Sequence, residues 1–215
     1  MAAAHEPVPV TVQPEGLKGL LGVPEDAQGI VIFAHGSGSG RLSPRNNHVA
    51  RGLHEVGLAT LLIDLLTPME EKDRANVFDI PLLAARLAGA GEWVKQVPEI
   101  AALPVGYFGA STGAGAALLA ASRADDRVSA VVSRGGRPDL AGAHALKQVR
   151  APTLLIVGGR DLPVIDLNRV ALRHLGGESE LVIVPGAGHL FEEPGTLDQV
   201  IDHAARWFLQ YLRKD

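Results

Sequence analysis

The segment from Pro104 to Ala121 constrains the fold more tightly than any other stretch of the chain. Pro104-Val105-Gly106-Tyr107-Phe108 is short, apolar and β-compatible, as a strand buried on both faces must be. Ala114 to Ala121 consists of good helix formers with almost no polar face, which implies a helix buried on all sides. Between them stands Gly109-Ala110-Ser111-Thr112-Gly113. A strand that turns directly into a helix forces the turning residue into a strained backbone conformation. A side chain two positions away on either side would clash, and glycine at 109 and 113 removes it. Strand, G-x-S-x-G and buried helix together form the context in which a serine is presented as a nucleophile.

The rest of the chain repeats the strand-then-helix rhythm. Val8–Val12 and Leu17–Leu21 read as an edge hairpin around Pro14-Glu15-Gly16, after a loose tail over residues 1–7. Gly29–Ala34 is a buried strand that runs into the glycine-rich loop His35-Gly36-Ser37-Gly38-Ser39-Gly40. Ser43-Pro44 opens a helix with Val49, Leu53 and Val56 on its buried stripe, and Gly57 ends it. Leu58–Ile63 is the next strand, Thr67–Asp79 a charged loop beside the sheet end, and Leu83–Val97 a helix. Beyond Ser111 come a strand over Val128–Val132, an exit loop Ser133–Arg137, a short helix near Leu140–Val149 and a strand over Thr153–Val157. A helix begins at Pro163, with Val164, Leu167, Val170, Ala171 and Leu175 on its apolar side. Leu181–Val184 is the last strand, and a final helix is expected to start with a capping box of Thr196 and Gln199. Strands and helices alternating from residue 29 onward predict an α/β fold: a mostly parallel, doubly wound sheet flanked by helices, in a single domain over 1–215.

Composition narrows the function classes. A net charge of −4 leaves no basic footprint for nucleic acid. No apolar run reaches the length of a membrane span, and the N-terminus lacks the basic and apolar regions of a secretory signal. The absence of cysteine excludes disulfides, thiolate metal sites and a cysteine nucleophile. The expectation is a cytoplasmic protein without membrane or nucleic-acid partners, and nothing in the sequence indicates its oligomeric state.

In an open parallel sheet, ligands bind at the carboxyl ends of the strands. Ser111, Asp161 and His189 each follow a different strand, in that chain order. A serine hydroxyl needs a base to take its proton, a neutral imidazole can do so, and a carboxylate behind the imidazole fixes its tautomer. Asp161 is equally well placed to cap the Pro163 helix, and Asp64, which also ends a strand, is the rival acid. His35 is read as a support for its loop. The backbone N–H groups of Thr112 and Ser37 are the candidate oxyanion donors. Arg134 and Arg137 are candidates for holding an anionic substrate group. Arg41 stands where a dinucleotide-binding G-x-G-x-x-G would need its last glycine, and no G-K-[ST] follows, so no nucleotide is expected. No metal site or cofactor is expected either.

His35-Gly36-Ser37-Gly38-Ser39, Gly109-Ala110-Ser111-Thr112-Gly113, Gly159-Arg160-Asp161 and Gly188-His189 together resemble the α/β-hydrolase superfamily over nearly the whole chain. The compact size, without a large cap domain, is similar to its dienelactone-hydrolase-like branch. The run Ser133–Leu140 resembles a small bacterial subgroup of that branch. Members of that subgroup are sometimes fused to a phosphoribosyltransferase domain, which this chain is expected to lack. Dienelactone hydrolases proper use cysteine where Ser111 stands, so the resemblance implies a serine hydrolase acting on small-molecule carboxylic esters. The alternative is a non-catalytic ligand-binding or interaction protein on the same scaffold. Loss of a triad residue would mark it, and all three residue types are present.

Overall fold

The computed structural model describes residues 6–123 and 128–213. Most of the expected tail, Met1–His5, lies outside the described residues. The chain opens with the hairpin β1 (Val8–Val12) and β2 (Leu17–Gly22). Then follow β3 (Gly29–Ala34), α1 (Pro44–Glu55), β4 (Leu58–Ile63), α2 (Arg74–Val77), α3 (Ile80–Val94), β5 (Val105–Ala110) and α4 (Thr112–Ala121). The second half holds β6 (Ala130–Arg134), α5 (Ala143–Gln148), β7 (Thr153–Gly158), α6 (Leu162–Leu172), β8 (Ser179–Val184) and α7 (Thr196–Tyr211).

The strands form one sheet in the order β1-β2-β4-β3-β5-β6-β7-β8. Only the β1–β2 and β2–β4 pairings are antiparallel. Residues of α1 and α7, among them Leu53 and Phe208, pack with Val31, Phe33 and Phe108 on one face. Residues of α3, α4 and α5 pack with Ile30, Ile32 and Tyr107 on the other. Cover on both faces is why every residue of β3, β4, β5 and β7 is buried, and why these strands read as continuous apolar runs. β3 has β4 on one side and β5 on the other, so the winding reverses there and a crevice opens beyond the carboxyl ends of β3 and β5.

Several local expectations change. Thr67–Asp79 is not an irregular loop but a 3-10 turn at Glu70–Lys72 followed by α2. Four of its polar residues, Thr67, Glu70, Asp73 and Asp79, are caps. Thr67 N–H donates to Glu70 Oε2 at 2.8 Å while Glu70 N–H donates to Thr67 Oγ1 at 3.3 Å, a reciprocal capping box. Asp73 accepts from Ala75 N–H, and Asp79 from Leu82 N–H at the start of α3. β6 begins and ends two residues later than expected, because its pairing with β5 runs from Gly106 opposite Ala130 to Ala110 opposite Arg134. Ser133 and Arg134 are therefore strand residues. The helix expected over 140–149 is divided at Gly142, whose φ of +82° separates a 3-10 turn (Pro138–Ala141) from α5. The N-cap of α7 is Gly195, and Thr196 stands inside the helix with its hydroxyl donating to Glu193 O at 2.7 Å. Val170, placed on the buried stripe of α6, is exposed.

Candidate active site

Ser111 sits between the last residue of β5 and the first of α4 with φ +50° and ψ −122°. A positive φ is costly for a residue with a Cβ. It is held because the chain around it leaves no alternative. A Cβ at Gly109 would come within 2.5 Å of Ala114 Cα, and one at Gly113 would run into the Ala34 carbonyl. The backbone of Ser111 is also bracketed from the β6 exit. Its N–H donates to Arg134 O at 3.3 Å, and its carbonyl accepts from Arg137 N–H at 3.0 Å.

Asp161 and His189 are brought together by two interlocked exit loops. Gly159 N–H donates to Val184 O at 2.8 Å and Arg160 N–H to Ala187 O at 2.9 Å. Asp161 Oδ2 then lies 2.6 Å from His189 Nδ1. Asp161 is the N-cap of α6 by backbone position, yet its side chain makes no capping hydrogen bond. An Asp161 carboxylate accepting from Nδ1–H leaves Nε2 of the neutral ring free to take a proton. His189 is 40% exposed in its side chain and Asp161 13%, so the acid is sheltered behind a base that faces the cleft. No direct hydrogen bond joins Ser111 Oγ to His189, although both line one cleft.

Two residues that sequence reasoning missed fasten the His189 loop. Phe191 is 2% exposed and adopts φ +54°; with Ser111 it is one of two non-glycine residues at positive φ among the described residues. Its ring packs with the core on the α1/α7 face and so anchors the loop two residues past the histidine. Glu193 accepts from Gly188 N–H at 3.0 Å, and that hydrogen bond holds its carboxyl below the usual carboxylate range. The alternation of burial that marks a strand or helix is absent here, so nothing in the local sequence singles out Phe191.

The glycine-rich loop closes the cleft from the other side. His35 Nε2 accepts from Leu65 N–H at 3.1 Å, which places the ring proton on Nδ1, 3.0 Å from Gly36 O. His35 thus supports the loop, as expected. Asp64 accepts from Arg41 N–H at 2.6 Å and pairs with the Arg41 guanidinium, so its carboxylate shapes this loop and is not the partner of His189. Thr112 is the first residue of α4, where the N–H has no partner within the helix. The Ser37 N–H differs from the expectation: it donates to Thr112 Oγ1 at 3.0 Å instead of facing an open position. The hydroxyl of Thr112, a strong acceptor one residue from Ser111, is the competing partner.

The cleft has a volume of about 710 Å³ and is lined by the 35–45 segment, Ser111, Arg134, His189, Leu66 and Glu71 among others. A second cavity of about 750 Å³ lies among residues 23–28, Glu99 and Arg213, and its lining contains neither serine nor histidine. Arg137 does not line the cleft. It is held by Asp139 through two hydrogen bonds of 2.8 and 2.7 Å, and this pairing raises its pKa. Among the described residues, no group of three or more His, Cys, Asp or Glu side chains is placed to hold a metal ion.

A doubly wound sheet with a serine at a strained strand-to-helix turn and an Asp–His pair on neighbouring exit loops defines a hydrolase architecture. Residues 27–212 match the family described as alpha/beta hydrolase domain, and the chain belongs to that family. Its fold is that of a dienelactone hydrolase from Anabaena variabilis, with a TM-score of 0.92 and 57% identity over 99% of both chains. A carboxyl esterase 2 from Tuber melanosporum shares the fold alone, with a TM-score of 0.76 and 16% identity over 99% of this chain and 89% of that one. A protein of Mycobacterium tuberculosis named "Putative phosphoribosyl transferase" is 59% identical over 96% of this chain. The chain spans 46% of the length of that relative.

Proposed function

We propose that the chain is a serine hydrolase of carboxylic esters working through an acyl-enzyme. The observation that carries this reading is the 2.6 Å contact of Asp161 with His189, which lines the same cleft as Ser111. Ser111 Oγ attacks the ester carbonyl as His189 Nε2 takes its proton, and Asp161 stabilises the imidazolium. The tetrahedral oxyanion is met by the Thr112 N–H, and by the Ser37 N–H once that group turns from the Thr112 hydroxyl. Collapse expels the alcohol with the proton from His189. Water then repeats the sequence on the acyl-enzyme, with the imidazole again as base.

A lactone is a cyclic ester, and the Anabaena relative is named for one. Serine in place of the cysteine of dienelactone hydrolases makes general ester hydrolysis the reading adopted here. The phosphoribosyl transferase name belongs to a relative more than twice as long as the matched region, and the cleft of this chain offers hydrolase chemistry. Hydrolysis of p-nitrophenyl esters of graded chain length by the wild type, with none by a folded Ser111→Ala variant, is the expected result. Equal turnover by the two proteins would refute the reading.

A further inference from the structure

The hydrogen bond from the Ser37 N–H to the Thr112 hydroxyl occupies one of the two oxyanion donors with a group of the protein itself. The loop that carries Ser37 lies directly against the nucleophile. A Cβ at Gly36 would stand 3.0 Å from Ser111 Cβ and 3.7 Å from Ser111 Oγ. The peptide joining Gly36 to Ser37 is held at both ends. Its carbonyl accepts from Ser39 N–H at 3.1 Å and lies 3.0 Å from His35 Nδ1, and its N–H donates to Thr112 Oγ1 at 3.0 Å. Ser37 lines the cleft, whereas Thr112 is 7% exposed and borders a smaller void of about 10 Å³ on the side of Val77 and Leu83.

We propose that the Thr112 hydroxyl is a latch on the oxyanion hole, a positioning group that withholds the Ser37 N–H from the neutral ester carbonyl and yields it to the tetrahedral oxyanion. A hydroxyl oxygen and an ester carbonyl oxygen are both neutral acceptors, so a bound ester gains little by taking the N–H from Thr112. An oxyanion is charged, hydrogen bonds to charged acceptors are roughly twice as strong, and it therefore wins the competition. With the Gly36 carbonyl fixed by its partners, a tilt of this one peptide re-aims the N–H. An interaction made only in the transition state raises kcat without tightening substrate binding. The inference rests on the serine-hydrolase reading and adds the group that controls its second oxyanion donor.

Thr112→Val tests it, since valine keeps the shape of the side chain and loses the acceptor. The freed N–H can meet the carbonyl of a bound ester and leaves no partner behind in the transition state. KM for a p-nitrophenyl ester should therefore fall and kcat/KM should rise, each roughly 2- to 10-fold, while kcat does not drop. Thr112→Ser keeps the hydroxyl and should return both quantities toward the wild type. A hydroxyl that only anchors the loop gives the opposite sign, a fall in kcat/KM as the loop loosens. That result, or an unchanged kcat/KM in a folded Thr112→Val variant, overturns the latch. NMR on isotope-labelled wild type decides the question if the variant does not fold. Capture of Ser111 by a fluorophosphonate puts a partly charged phosphonyl oxygen in the hole, and the Ser37 amide proton should move downfield. A resonance that stays in place overturns the latch. A wild type that neither hydrolyses the ester nor takes the probe refutes the hydrolase reading and the latch with it, whereas turnover with the wrong sign in Thr112→Val refutes the latch alone.

Discussion

Replacing Asp161 by asparagine changes almost nothing but the chemistry of one hydrogen bond. The wild-type carboxylate accepts from His189 Nδ1 at 2.6 Å, which holds the imidazole with Nε2 unprotonated toward the cleft. An amide in its place can donate to Nδ1, and the ring then carries its proton on Nε2, where the serine proton must go. The precedent for this exchange in a serine protease is a loss of about 10⁴ in kcat, or about 5 kcal/mol of transition-state stabilisation. Stability should change by no more than about 1 kcal/mol, because the Asp161 side chain caps nothing in α6. Asp64→Asn is the internal control. Its amide oxygen can still accept from Arg41 N–H, and the lost ion pair is part-exposed, at 24% for Asp64 and 30% for Arg41. Such a pair contributes about 0–1 kcal/mol, so kcat should fall by less than about tenfold. The assay is ester turnover at saturating substrate, with urea denaturation of each variant alongside. A large loss in Asp64→Asn with a small one in Asp161→Asn would refute the assignment of the acid.

Four further outcomes follow from packing and titration. Gly113→Ala should destabilise by more than about 3 kcal/mol, because its methyl group meets the Ala34 carbonyl; Gly89→Ala, in open space on α3, should stabilise by about 0.5–1 kcal/mol, and denaturation midpoints check both. Phe191→Ala should cost about 3–5 kcal/mol and lower kcat as the His189 loop loosens, which paired unfolding and turnover measurements would detect. Burial lowers the pKa of His54, whose Nε2 contacts Thr60 Oγ1 at 2.7 Å, below its ordinary 6.5. The unfolded chain then binds the proton first as pH falls, so this contribution to stability is complete above 6.5 and is lost on acidification through the folded value. His54→Gln should flatten the fall of stability as pH drops below the ordinary histidine value of 6.5.

The α/β alternation was legible because strands covered on both faces must be continuously apolar, as Leu58–Ile63 and Thr153–Gly158 are. The candidates Ser111 and Asp161 were legible for a related reason, since each stands just past such a run, and His189 follows the half-buried last strand at the same end of the sheet. The competition between capping and orienting at Asp161 could not be resolved from sequence, since it depends on how two distant exit loops interlock. The same holds for Ser37, whose N–H finds an acceptor 75 positions away in Thr112. Arg134 was read as a loop residue because a run of apolar residues ends at Val132, whereas pairing with β5 carries the strand two residues further. Thr67-Pro68-Met69-Glu70 did contain a local signal, a T-x-x-E capping box, that identifies a helical turn inside an otherwise featureless charged stretch.

The central claim is that Ser111 is an activated nucleophile, and covalent capture tests it without any assumption about the substrate. A fluorophosphonate probe reacts with serines whose proton a neighbouring base removes. Peptide mapping by mass spectrometry should place a single adduct on Ser111 of the wild type, none on Ser111→Ala, and a strongly slowed adduct on His189→Ala. An unlabelled wild type, or an adduct on another residue, would contradict the account.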